Sequence, residues 1–165
     1  MRLTDLAGLP FTYAELGATQ GPLPDGYHHV GESATIGHGR ERFEAAGDAV
    51  LRWGMLRGAG ARVRATSEVA HVGAEVIVGL GPVSAPCRVV YVLDEPDRRG
   101  FAYGTLRGHP ETGEELFAVR YDAADDAVIA EVTAFSRHGT WLAGLAGPIT
   151  SFVQGVMSRR YVRAV

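Results

Sequence analysis

The sequence predicts an α+β fold, a curved antiparallel sheet of about six to seven strands packed on a long C-terminal helix. Three observations predict it. Apolar residues recur at helical spacing over Arg40–Arg57, the period falls to near two from Ala61 to Arg137, and helical spacing returns over Trp141–Tyr161. The 165 residues are read as one domain, 1–165, long enough for a substantial core.

Residues 1–26 carry Gly8, Pro10, Gly17, Gly21, Pro22, Pro24 and Gly26 and read as a lead-in with at most one short strand. Tyr27–Ile36 suits a first strand, broken by Gly37-His38-Gly39. In Arg40–Arg57 the stripe Phe43, Ala46, Val50, Trp53 and Leu56 faces one way, and Gly58 and Gly60 mark the end of one helix. The segments RVRAT, AEVIVGL, PCRVVYVL, GFAYGTL, ELFAVRY and AVIAEVTAF then read as strands. Their links are too short for parallel crossovers, which need roughly a dozen residues, so the sheet is an antiparallel meander. Several strands are apolar on both sides (Val89 and Val90, Phe117 and Ala118, Val128 and Ile129), which implies cover on both faces. In the last segment Gly147-Pro148 interrupts the pattern, so a short turn precedes Pro148 and the main helix follows it. Strand, helix, strands, terminal helix is the order of a helix-grip architecture, in which the last helix packs on the sheet.

All sixteen basic side chains are arginine, and neither lysine nor asparagine occurs. This removes lysine Schiff bases, P-loop lysines and N-glycosylation from consideration. A net charge of −3 argues against a nucleic-acid partner. No apolar run reaches the roughly 18 residues of a membrane span, and the N-terminus lacks a secretory apolar stretch. The expectation is a cytoplasmic protein, not integral to a membrane, with Cys87 a buried thiol. No phosphate loop, dinucleotide fingerprint or nucleophile elbow is present, so no cofactor is called for. His28 and His29 point to opposite faces of a strand and cannot share an ion, and no metal site is expected. Arg137, Arg159, Arg160 and Arg163 leave the C-terminal segment positive; the last three suit the negative end of a terminal helix, and an anionic partner or membrane surface is the alternative.

The chemistry concentrates in Phe101–Phe117, FAYGTLRGHPETGEELF, read as an aromatic strand entering a polar turn from His109 to Glu115. A histidine and three carboxylates there can build an acid–base pair or a hard-cation site, or simply keep the turn tip solvated.

Five stretches resemble one known family. They are YAELGAT (Tyr13–Thr19), the Gly37–Phe43–Trp53 region, YGTLRGHPETGEELF (Tyr103–Phe117), AFSR (Ala134–Arg137), and AGP with Gln154 and Tyr161. Together they are similar to the bacterial and plant domain-of-unknown-function family nineteen-ninety. That family often has Ser-Arg-Pro where this chain has Ser136-Arg137-His138. The resemblance covers nearly the whole chain and goes with a START-like, helix-grip fold, but the family carries no assigned activity.

Three functional readings follow. In the first, a small apolar or amphipathic molecule sits in a cavity between sheet and C-terminal helix. Tyr103, Arg107, His109 and Glu115 would orient it at the mouth, with Arg137 as an anion partner. The second is a cyclase- or hydrolase-like enzyme using His109 and a nearby carboxylate. The third is an interaction domain whose interior is filled by its own side chains. Oligomeric state has no signature in the sequence.

Overall fold

Seven antiparallel strands form one sheet in the order β1-β7-β6-β5-β4-β3-β2. They are β1 (His28–His38), β2 (Arg62–Ala65), β3 (Glu75–Leu80), β4 (Val83–Glu95), β5 (Arg98–Thr105), β6 (Glu111–Asp122) and β7 (Ala127–His138). This computed structural model describes residues 1–138 and 159–165. The helix expected over Trp141–Tyr161 falls mostly on residues 139–158, outside the described residues; within the described ones, 159–161 are helical.

The meander is the one the period-two pattern predicts. Each link from β2 to β7 is short, and the first strand closes on the last through the ladder from His28↔Ser136 to His38↔Ala127. Register shifts in β1 and β4 insert single residues, which bends the strands locally.

One face of the sheet carries the helices. Val76, Val78, Cys87, Val89, Phe101, Tyr103, Phe117, Val119, Val128, Ala130 and Val132 point to it and pack with Phe43, Ala46, Val50, Trp53 and Leu56. The Trp53 ring meets Phe101 edge-on at 4.9 Å, and Phe101 and Phe117 lie 5.5 Å apart. Residues 159–165 return to this face, where the Tyr161 ring contacts Phe117 at 5.2 Å.

The helical stripe at 40–57 is not one helix, as its spacing predicts, but two: α1 (Arg40–Leu51) and α2 (Gly54–Gly58). Trp53 lies between them with φ of 66°, a left-handed conformation that costs a bulky residue energy. Burial offsets that cost, since the indole is fully buried and its Nε1–H donates to the Ser67 carbonyl at 3.1 Å. Gly54 permits the close approach that follows, because a Cβ there would lie 2.5 Å from the Ala49 carbonyl oxygen. Gly54→Ala is expected to cost about 1–3 kcal/mol in chemical denaturation, the usual effect of overpacking a tight site. An unchanged midpoint would mean that the α1–α2 junction yields freely. Arg99 adds an electrostatic tie, with nitrogens 2.9–3.3 Å from carboxylates of Glu44 and Asp48 on α1 and Asp94 on β4.

The opposite face is covered by the N-terminal lead-in, which accounts for strands apolar on both sides. Leu6 packs with Ile77 and Leu106. Tyr13 and Tyr27 both stack edge-on against Phe135, at 5.6 and 5.0 Å. Arg88 fastens the start of the segment, donating to the Leu6 and Leu9 carbonyls while paired with Glu75 at 2.7 Å.

Candidate functional site

Alternation along β6 decides where its acids go. Glu114 and Glu115 are consecutive in an extended strand, so their side chains leave on opposite faces. The polar turn read from the sequence at His109–Glu115 is therefore shorter than expected. Strand β6 begins at Glu111, held between β5 and β7 through Glu111↔His138 and Tyr103↔Glu115. Backbone pairing on both sides makes strand the better state for these residues than a solvated tip. Neither Glu114 nor Glu115 serves to keep a turn wet.

Glu114 is buried against the lead-in. Its carboxylate accepts from the Tyr13 hydroxyl (2.7 Å), the Gly17 amide (2.7 Å), and the amide (3.1 Å) and hydroxyl (2.5 Å) of Thr19. Gly104 clears the path, since a Cβ there would overlap the Tyr13 hydroxyl oxygen. These contacts make a structural clasp between YAELGAT and the GEE of β6. The clasp was absent from the sequence-derived site, although both its halves stand in the family-like stretches.

Glu115 emerges on the helix face. Directly across the ladder, the Tyr103 hydroxyl donates to its Oε2 at 3.0 Å. Tyr103 is its only hydrogen-bond partner among the described residues. Burial pushes the carboxyl up to about 7; the tyrosine bond opposes that shift and the neighbouring Glu111 charge adds to it. The side chain is half-buried. Around it the face is aromatic and apolar: Tyr103 and Phe117 lie 5.2 Å apart, and buried Cys87 pairs with Thr105 in the adjoining ladder. Burial raises the Cys87 thiol, the Tyr103 phenol and the Tyr161 phenol, and Glu115 adds to each shift.

His109 sits in the turn after β5. Its Nδ1 lies 2.9 Å from the Glu111 amide nitrogen and 3.0 Å from the Glu111 carbonyl oxygen, so the Glu111 backbone fixes the ring's orientation. Burial lowers its pKa to about 4, opposed by the Glu111 backbone, so the ring is neutral at pH 7. Arg107 is exposed on the same turn, its amide 3.4 Å from the Pro10 carbonyl. Arg137 stands apart. It is exposed, and its guanidinium lies 4.8 Å over the Tyr27 ring, on the face that the lead-in covers. The five residues expected to act together thus divide: Tyr103 and Glu115 touch, His109 and Arg107 flank them on one turn, and Arg137 belongs to the other side. Tyr161, which the sequence marked only within a motif, joins the aromatic set.

Among the described residues, no group of three or more His, Cys, Asp or Glu is placed to hold a metal ion, and no helix is long and apolar enough to cross a membrane.

The pattern described as "Domain of unknown function (DUF1990)" matches residues 12–164, from the clasp segment to the C-terminal residues on the helix face. The chain belongs to this family. A UPF0548 protein of Deinococcus radiodurans is 34% identical over 171 residues, spanning 92% of this chain and 84% of the relative. Among solved structures, a hypothetical protein of Helicobacter pylori superposes with a TM-score of 0.58 at 8% identity, covering 93% of this chain and 94% of its own. Ginseng major latex-like protein 151 gives 0.54 at 15% identity over 84% and 96%. Truncated norcoclaurine synthase from Thalictrum flavum gives 0.53 at 10% identity over 83% and 92%. At these identities the likeness is one of fold, and it is START-like.

Proposed function

We propose that the protein binds a small apolar or amphipathic molecule on the helix face of the sheet, beneath the C-terminal segment. The observation that carries this reading is the Tyr103–Glu115 pair, a carboxyl and a phenol set on an otherwise apolar, aromatic face. Placing a carboxyl there costs stability, because desolvation opposes its charged form. A filled core has no use for that cost, whereas a small-molecule site combines apolar walls with a few convergent polar groups. Tyr103 and Glu115 would orient the bound molecule, with His109 and Arg107 at the neighbouring turn. Arg137 has no part in this site.

The measurement is native mass spectrometry of protein purified from its own cells, alongside titration with the neutral fluorophore N-phenyl-1-naphthylamine. The expected result is a reproducible extra mass lost on denaturation, together with saturable one-to-one dye binding that the lost molecule displaces. A clean mass and no saturable dye binding would favour a self-filled interior.

A second reading is supported by the same pair. On a scaffold shared with a synthase, proton transfer would fall to Glu115, whose pKa near 7 suits exchange at neutral pH. His109 is less suited, being held neutral with Nδ1 engaged.

A further inference from the structure

Among the described residues, no basic side chain pairs with Glu115. The ion pairs among the described residues engage Asp5, Glu32, Glu44, Asp48, Glu75, Asp94, Asp97, Asp122 and Glu131, and none engages Glu115. The chain has no lysine to supply a cation. Arg99 projects from the same strand as Tyr103 but is committed to Glu44, Asp48 and Asp94. Glu111, of the same sign, lies near enough to act on Glu115. Three rings complete the setting. Phe117, two residues along the same face of β6, has Tyr103 and Tyr161 each 5.2 Å away. Aromatic faces carry negative potential and attract cations, most strongly where water is displaced.

From this geometry we infer that the ligand is a cationic amphiphile, a protonated amine or quaternary ammonium on an apolar body. Its nitrogen meets Glu115 and its adjoining carbons lie against Tyr103, Phe117 and Tyr161. This rests on the small-molecule reading above and adds the ligand's charge. A fatty acid or other anion is disfavoured at this point, because its head group would meet the Glu115 carboxylate, which no ion pair among the described residues engages. A neutral alcohol would fill the apolar space but leave the carboxylate uncompensated.

Isothermal titration of the whole chain with n-octylammonium, 1-octanol and octanoate tests this, since the three probes share a chain and differ in head-group charge. Octylammonium is expected to bind about tenfold or more tighter than 1-octanol, and octanoate weakest, in line with the strength of a desolvated charge pair. In Glu115→Gln, which keeps the side-chain shape, the ratio of amine to alcohol affinity should fall to near one. Octanoate binding as tightly as octylammonium, or an amine preference that survives in Glu115→Gln, would overturn the charge assignment while leaving small-molecule binding intact. Failure of all three probes to bind would overturn the small-molecule reading and this inference with it.

Discussion

Replacing Glu114 by alanine is expected to lower the unfolding free energy by about 3–5 kcal/mol, the range for removing a buried charged group with several hydrogen bonds. Four donors converge on this one carboxylate, from Tyr13, Gly17 and Thr19. Its loss leaves them facing a sheet lined by Ala102, Leu116, Ala118 and Phe135, where water replaces them poorly. The lead-in should loosen before the sheet does, since its remaining ties are Arg88, the Leu6 cluster and the aromatic contacts with Phe135. Hydrogen exchange should therefore show the Gly17 and Thr19 amides opening at a free energy well below the global value. Glu114→Gln keeps one acceptor oxygen and should lose roughly half as much. A loss under about 1 kcal/mol from Glu114→Ala, with both amides still protected, would show that the clasp is incidental to stability.

The pH dependence of stability should separate Glu115 from His109, because the two act in opposite directions over nearly the same range. Glu115 has its folded pKa raised to about 7 from 4.5. The folded state then holds a proton that the unfolded chain has released, and stability falls as pH rises from about 4.5 to 7. His109 has its folded pKa lowered to about 4 from 6.5. Here the unfolded chain holds the extra proton, and stability falls as pH drops from about 6.5 to 4. Each shift corresponds to at most about 3 kcal/mol at 1.36 kcal/mol per pH unit of displacement, and the two slopes oppose each other between about pH 4.5 and 6.5. Relative to the native chain, Glu115→Gln should gain stability at pH 8 and lose it increasingly on acidification. His109→Gln should do the reverse, becoming relatively more stable below pH 6. Thermal midpoints of the three proteins from pH 4 to 8 read this directly. Parallel curves would mean that neither group is desolvated in the folded state.

Much of this arrangement is legible in the residues. The alternation of apolar residues after Ala61 marks the six later strands with boundaries near those observed, and the apolar residues on both sides of several strands announce a sheet covered twice. YGTLRGHPETGEELF stands out as the stretch with the chemistry. What misleads is local polarity: Glu111, Thr112, Glu114 and Glu115 look like a solvated turn because a linear reading has no account of β5 and β7 on either side. The break at Trp53 is equally hidden, since the helical stripe continues through it. The left-handed kink exists because the indole reaches Ser67 and Phe101, partners remote in the chain.

The period-two pattern is legible in the residues from Glu115 onward, whereas the extension of β6 back to Glu111, which turns Glu114 and Glu115 to opposite faces, follows from pairing with the neighbouring strands. In an extended strand consecutive side chains point apart. What each carboxylate does depends on the groups that the fold brings to it. Glu114 acquires its partners from residues 95 to 101 positions earlier in the chain. Glu115 lies on the side where Tyr103 is its one hydrogen-bond partner among the described residues and where no ion pair among them reaches it. The two residues are identical and adjacent. One clasps the fold and the other is left with its charge to answer, because hydrogen bonding and desolvation are set by what the fold brings within about 3 Å of each oxygen.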